Sequence, residues 1–284
     1  MIVVTGATGK LGRLVIEGLL AKIPAGEIVA AVRNPEKARD LAALGVNVRQ
    51  ADYSQPETLS AAFAGADKAL LISSNQLGVR IAQHQAVIDA ARAAGATLLA
   101  YTSILRADTS TLMLAAEHKA TETNIRHSGL NFAFLRNGWY LENHTEQLGA
   151  AIQHGAILGA AGDGRFASAS RADFAAAAVA VLTGSGHENK VYELAGDIPY
   201  TLTTLAEEVS AQAGTTVSYN HLPEEAYRSA LLGFGLPAEF AEILVDSDLG
   251  ASKGELDSTS SDLRDLIGRP TVTLADAVST ALKS

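Results

Sequence analysis

The sequence contains no cysteine. Disulfides, thiolate catalysis and Cys-ligated zinc are therefore excluded, and the absence fits a reducing compartment. Basic charge is scarce: 22 Lys and Arg stand against 31 Asp and Glu, a formal net charge of -9. No long basic run occurs, so nucleic acid is not expected as a partner, because phosphate contacts need clustered Lys and Arg. No apolar run approaches the ~20 residues of a membrane span, so no membrane association is expected. Internal repeats and low-complexity tracts are also missing. The first strand-like run begins at Ile2, and no signal segment is expected ahead of it. Aromatic residues make up only 5% of the chain. Alanine supplies much of the apolar content, which suits helices packed closely on a sheet. These absences leave a soluble, cytoplasmic α/β protein as the expectation.

What is present begins at the first residues. A short apolar strand, Ile2 to Thr5, runs into Gly6, Ala7, Thr8, Gly9, Lys10, Leu11 and Gly12. Each glycine has a separate reason to be there. Gly6 lets the backbone turn sharply off the strand. Gly9 has no Cβ, so a pyrophosphate can approach the main chain. Gly12 lets the next helix, about Lys10 to Ala21, pack close to the strand. That helix points its first N–H groups at an anion.

Strand-like and helix-like segments then alternate. Ile28–Val32, Val46–Gln50, Ala69–Ser73, Leu98–Thr102 and Phe132–Arg136 are short and apolar, as strands buried on both faces are, and Val191–Ala195 reads as a seventh strand. Asn34 followed by Pro35 starts a helix that Gly45 closes. Ser54 to Glu57 has the form of a capping box, with Gly65 at the far end of its helix. Val79–Ala94 and Leu112–His127 are the next helices. The rhythm predicts a Rossmann-type, doubly wound parallel sheet with ligand at the carboxyl ends of the strands. From Tyr200 onward helices dominate, with one strand at Val217–His221. The expected division is a Rossmann domain from 1–137, 169–199 and 271–284, and a smaller, mainly helical lobe from 138–168 and 200–270 folded over the ligand site. The final helix, about Thr273–Leu282, is expected to pack back on the main body.

The end of the second strand selects the nucleotide. An NAD site places an acid there, about 20 residues beyond the glycines, to hold the ribose 2′-OH. Here the position carries Arg33, with Lys37 one turn on. A guanidinium clamps a 2′-phosphate that an acid would repel, so NADP is favoured over NAD. At the end of the third strand, Asp52 can accept from the adenine amino group and Tyr53 can flank the base. Equally, Asp52 can simply start the turn before Pro56. Ser73, Ser74 and Asn75 end the fourth strand, where backbone passes close to a dinucleotide; a plain turn explains them nearly as well.

Together these residues resemble the atypical, NmrA-like branch of the short-chain dehydrogenase/reductase superfamily. The spacing from Gly6 to Gly12 matches that branch. So do Val32 to Pro35, Gln50 to Tyr53, Tyr101 to Ser103 and Leu135 to Asn143. Ala160 to Gly164, Val191 to Gly196 and Ala251 to Gly254 extend the likeness into the second half. Within the branch the chain is most similar to the bacterial type-2 NADPH:quinone oxidoreductases, over essentially its whole length, and more distantly to triphenylmethane dye reductases. The resemblance implies NADPH held by Gly6 to Leu11, Arg33, the Ser73–Asn75 turn, and Asn137, Gly138, Trp139, Tyr140, Leu141 and Glu142. It implies no flavin and no metal. It also implies direct hydride transfer to a quinone lying between the main domain and the lobe. Monomer and homodimer both stay open.

One family feature is missing. Ordinary members carry a catalytic Tyr and Lys one helical turn apart after the fifth strand. No Tyr in this chain has Lys one turn later. His118 stands in place of the Tyr and Glu122 in place of the Lys. Alcohol and ketone chemistry needs a tuned acid at the carbonyl oxygen. Quinones relax that demand, since they are strong hydride acceptors and hydroquinone anions are weak bases, so positioning and a donor or two suffice. His118, with an unperturbed pKa near ~6.5, is the candidate proton donor, or else a hydrogen-bonded helix residue without a role. Glu122 either orients it or is solvated. Asn137 is the candidate to hold the carboxamide. Tyr140 or Trp139 either lines a slot for a flat substrate or packs the core. Asp173 reads as a structural residue at a helix start. Two other functions stand beside quinone reduction. An NADP(H)-sensing regulator would bind without turnover, in keeping with the missing pair. A reductase of another electrophile, such as a cationic dye, would differ only in pocket shape.

Overall fold

A computed structural model of the chain describes residues 1–283. The chain forms two compact units. The first comprises 1–107, 117–137 and 171–193, and the second 108–116, 138–170 and 194–284.

In the first unit a seven-stranded sheet has the order β3-β2-β1-β4-β5-β6-β8. Its strands are β1 (Ile2–Thr5), β2 (Ile28–Val32), β3 (Asn47–Gln50), β4 (Lys68–Leu71), β5 (Leu98–Ile104), β6 (Phe132–Asn137) and β8 (Lys190–Leu194). From β3 to β6 every neighbouring pair is parallel. Parallel strands need crossover helices, and these cover both faces. On one face lie α1 (Lys10–Leu20) and α8 (Arg171–Thr183), packed on each other. Gly18 makes that contact possible: a Cβ there would stand 2.8 Å from Val179 Cγ2. On the other face, α3 (Pro56–Phe63), α4 (Arg80–Ala93) and α5 (Ala115–His127) close over a core. It contains Val3, Val29, Leu71, Leu99, Tyr101, Phe134, Leu59, Phe63, Val87, Ile88 and Ile125. Each such large apolar side chain contributes roughly 1.5–3 kcal/mol on burial. The strand β1 next to β4 is where the winding reverses, so the loops after β1 and β4 flank the crevice in which open α/β sheets take ligands.

Several local expectations are corrected. The helix after Asn34 is a short 3-10 turn, Pro35–Ala38, followed by α2 (Arg39–Ala43). Helix α5 begins at Ala115 rather than Leu112. No capping box forms at α3. The N-cap is Gln55, which makes no side-chain cap bond. Ser54 instead receives Gln83 Nε2 at 3.3 Å, and its own N–H is taken by Asp52 Oδ1 at 2.9 Å.

The second unit holds α6 (Leu141–Thr145), α7 (Leu148–His154), α9 (Leu202–Ala213), α10 (Glu224–Gly233), α11 (Ala238–Ser252), α12 (Asp262–Ile267) and α13 (Leu274–Lys283). It also holds a two-stranded parallel sheet, β7 (Ala156–Gly159) and β9 (Ser218–His221). Only the second of these strands was expected. The last helix, α13, does not join the Rossmann unit as expected. It packs on α9, α6 and α7, burying Val278, and Gln212 Nε2 donates to its Ala275 carbonyl at 2.9 Å. Among the described residues, no helix is long and apolar enough to cross a membrane.

Candidate functional site

The glycine turn after β1 has the geometry its composition demands. Gly6 has φ +60, a left-handed conformation costly for any residue with a Cβ. Its carbonyl accepts Gly9 N–H at 2.9 Å, which closes the turn. A Cβ on Gly12 would lie 2.4 Å from that same carbonyl oxygen and 2.8 Å from Ala7 Cα, so only glycine lets α1 start this close to β1. Gly9 caps α1 without a side-chain bond, and the first turn carries no acid. The leading N–H groups of α1 are thus left to an anion. Ala7 and Leu11 are buried beneath the turn, whereas Gly6, Gly9 and Lys10 are exposed and Thr8 is half-buried.

At the end of β2, Arg33 is exposed, and Asn34 turns the chain by accepting Glu36 N–H at 3.0 Å. Arg13 on α1 pairs with Asp40 and donates to the Lys37 carbonyl at 3.0 Å. The side of the crevice where an NAD site would hold an acid therefore carries cations.

Tyr53, expected beside the base, spends its hydroxyl elsewhere. It donates to Thr5 Oγ1 at 2.5 Å and lies 3.2 Å from the Ile72 carbonyl. Thr5 Oγ1 in turn donates to Leu70 O and accepts Ile72 N–H. These bonds tie the carboxyl ends of β1 and β4 together. Burial pushes the Tyr53 phenol well above its usual pKa. Asp52 takes the turn-starting role, with Oδ1 on Ser54 N–H.

The Ser73–Asn75 turn is clamped from α4. Ser73 N–H donates to Thr102 Oγ1 at 2.9 Å, and Ser74 N–H to His84 Nε2 at 2.9 Å. Ser74 Oγ donates to Gln83 Oε1 at 2.6 Å, and Arg80 Nε donates to the Ser74 carbonyl at 2.7 Å. Glu117 completes the hold: it takes Gly78 N–H at 3.0 Å and lies 3.5 Å from Arg80 Nη1. Asn75 stays exposed. The sequence reading missed Arg80, Gln83 and His84. Their signal was a polar patch at helical spacing on the same face as Val87, Ile88 and Ala91.

The missing dyad has been replaced by two separate buried pairs. His118 is 3% exposed, and its Nδ1 lies 2.7 Å from the Tyr101 hydroxyl. Burial, then the charge of Arg80 and the neighbouring His84, hold its pKa well below 6.5. This corrects the expectation of an acid titrating near neutrality: His118 is a neutral imidazole and acts at most as a hydrogen-bond donor or acceptor. Glu122 neither orients it nor is solvated. Glu122 is buried, accepts Ser103 Oγ–H at 2.7 Å, and receives Arg136 Nε and Nη2 at 2.9 and 2.8 Å. Arg136 Nη1 reaches Glu193 at 2.7 Å, and Glu193 takes the Arg106 amide at 2.8 Å. Ser103, near the end of β5, is committed to this net. The net fixes the carboxyl ends of β5 and β6, where Asn137 is the last strand residue.

Gly138 opens the second unit. Its N–H bonds Leu194 O at 2.8 Å. Trp139 O accepts Ala169 N–H at 3.2 Å, Tyr140 bridges to Ala169, and Leu141 N–H donates to Ala169 O at 3.0 Å. Leu141 is buried and begins α6, with Glu142 in its first turn. Trp139 Nε1 is buried without a protein hydrogen-bond partner, and the ring tilts toward His144, 6.4 Å away. Burial lowers the His144 pKa to about 4. Its Nδ1 lies 2.8 Å from Tyr200 Oη. Asp173, expected at a helix start, is in the first turn of α8 and fully buried.

Residues 6–185 match the model of an NAD(P)H-binding family. The chain is 54% identical to quinone oxidoreductase 2 of Escherichia coli over 98% of both chains. The crystal structure of that protein complexed with NADPH superposes with a TM-score of 0.97, covering 99% of this chain and 100% of that one. Triphenylmethane reductase of Citrobacter sp., complexed with NADP(H), is 44% identical with a TM-score of 0.96, over 99% and 100%. An NmrA-like family domain-containing oxidoreductase of Aspergillus flavus is 30% identical over 97% of this chain and 92% of that one. The family model over residues 6–185 and the likeness along the whole length agree, and the chain belongs to the NAD(P)H-binding family, in its NmrA-like branch.

Proposed function

We propose that the protein is an NADPH-dependent quinone reductase that works without flavin. The observation that carries this is the 54% identity, over 98% of both chains, to a quinone oxidoreductase. The residues present fit the cofactor. The Gly6–Leu11 turn offers backbone N–H groups to the pyrophosphate, exposed Arg33 meets the 2′-phosphate, and no acid stands in its place. The Ser73–Asn75 turn borders the same crevice. NADPH, when bound, supplies a hydride; with one proton this turns a quinone into a hydroquinone.

What the chain itself contributes is positioning. Neutral His118 is proposed as a hydrogen-bond donor toward a quinone oxygen, so the proton is drawn ultimately from solvent. Asn137, held by the Arg136 net, is proposed to orient the nicotinamide carboxamide. Tyr140 is proposed to face a flat substrate from its own unit. Hydroquinone anions are weak bases, so no tuned acid is required.

The test is NADPH oxidation by colourless purified protein with a panel of simple quinones and cationic dyes, run with NADPH and with NADH. Turnover with quinones and NADPH is the expected result. Turnover with dyes alone would replace the substrate, and tight binding with no turnover would make the protein a sensor. A yellow preparation absorbing in the blue would overturn the flavin-free reading.

A further inference from the structure

The His84 clamp has a proton order that can be written out completely. A backbone amide is always a donor. Ser74 N–H, 2.9 Å from His84 Nε2, therefore makes Nε2 the acceptor and puts the ring proton on Nδ1. Nδ1–H donates to Thr121 Oγ1 at 3.0 Å. The Thr121 hydroxyl then sends its own proton to the Glu117 carbonyl at 2.9 Å. His84 and Thr121 are both fully buried. Burial, then the charge of Arg80, lowers the His84 pKa to about 3, so the ring is neutral across the physiological range. The Tyr101 hydroxyl, which also bonds Thr121 and lies 2.7 Å from His118 Nδ1, completes the polar surroundings.

We propose that Thr121, on α5 and out of reach of the turn, is a positioning residue for the dinucleotide. By accepting Nδ1–H it holds the His84 ring where Nε2 meets the Ser74 amide, and so keeps the Ser73–Asn75 turn in the shape that takes NADPH. The inference rests on the reading that this turn contacts the cofactor. Without the Thr121 hydroxyl, Nδ1–H is buried with no acceptor. The ring turns to recover one, Nε2 leaves the Ser74 N–H, and the turn is released.

The test pairs NADPH binding with nitrogen NMR of the imidazoles in the full chain. Thr121→Val, nearly the same shape, is expected to weaken NADPH binding about ten-fold, the size of one lost hydrogen bond. It should also move the His84 Nε2 resonance and the Ser74 amide proton away from their hydrogen-bonded positions. Thr121→Ser should restore both affinity and those two shifts, which a packing role would not do. Parent affinity in Thr121→Val, or an Nε2–H tautomer in the parent, overturns the proposal. If Thr121→Val does not fold, His84→Gln and His84→Leu decide: Gln keeps an acceptor for Ser74 and should bind NADPH like the parent, whereas Leu should not. Equal affinities in that pair overturn it too. Amide shifts of Ser73–Asn75 on adding NADPH to the parent separate the two failures. If they do not move, the cofactor reading of the turn falls; if they move while Thr121→Val binds normally, only the clamp falls.

Discussion

Arg33→Asp is the substitution that most directly probes the cofactor. Arg33 is exposed at the end of β2, and its charge is felt by the Tyr53 phenol. No hydrogen bond or ion pair from its side chain to the rest of the protein is present among the described residues. Folding should therefore hardly notice the change, by about 0.5 kcal/mol or less. Binding should notice it twice. A hydrogen bond between a guanidinium and a phosphate contributes ~1.5–3 kcal/mol. A carboxylate about 5 Å from a 2′-phosphate adds roughly 1 kcal/mol or more of repulsion in water. The sum, roughly 3–4 kcal/mol, corresponds to a loss of about 10²–10³ in NADPH affinity. NADH lacks the phosphate and should lose nothing, since an acid here can accept from the ribose 2′-OH. The assay is kcat/KM with each cofactor, beside a thermal melt. A variant that melts like the parent and still prefers NADPH by the same ratio refutes the role of Arg33.

Three further outcomes are expected. Gly12→Ala drives a Cβ against the Gly6 carbonyl and Ala7 Cα, so it should cost about 1–3 kcal/mol of stability and weaken NADPH binding at least ~ten-fold; parent affinity by titration contradicts the packing account. Glu122→Gln removes the charge that two nitrogens of buried Arg136 share, and should destabilise by about 3–5 kcal/mol in chemical denaturation; a loss below ~1 kcal/mol would mean that the net is not a closed buried pair. Asp248, on α11, is buried with one amide bond, from Ala160 at 2.7 Å, and burial raises its pKa to about 7. The native state then holds a proton that the unfolded chain has released, so stability falls as pH rises from about 4 to about 7 and is flat beyond. Asp248→Asn should gain stability at pH ~8, by roughly 4 kcal/mol at most, and little at pH ~4; an unchanged pH slope refutes this.

The sheet and the glycine turn were legible because their causes are local. A five-residue apolar run, or a glycine whose Cβ has nowhere to go, needs no distant partner to be recognised. The clamp on Ser73–Asn75 was hidden because Arg80, Gln83 and His84 look like a solvated patch until the turn arrives to meet them. The ion net was further out of reach: Glu193 is 57 residues from Arg136, and only the placement of β8 beside β6 joins them. Only half of the small sheet could be read, as the strand Ser218–His221; its partner Ala156–Gly159 was hidden because it is short and ends in glycine. His118 was given the wrong ionisation, because a titration value follows from burial and Arg80, which sequence spacing does not contain.

The Glu122 net also constrains what the protein's descendants can become. Regaining alcohol-type chemistry looks, on paper, like two substitutions, His118→Tyr and Glu122→Lys. In this interior the second would set an ammonium group beside Arg136 and Arg126, whose charges Glu122 now meets. Several kcal/mol of unpaired buried charge would follow before any new reaction was possible. Arg136 would have to be lost first, and that intermediate strands Glu122 in turn. Installing the Tyr and Lys pair in this interior therefore lies across a stability valley that neither substitution crosses alone.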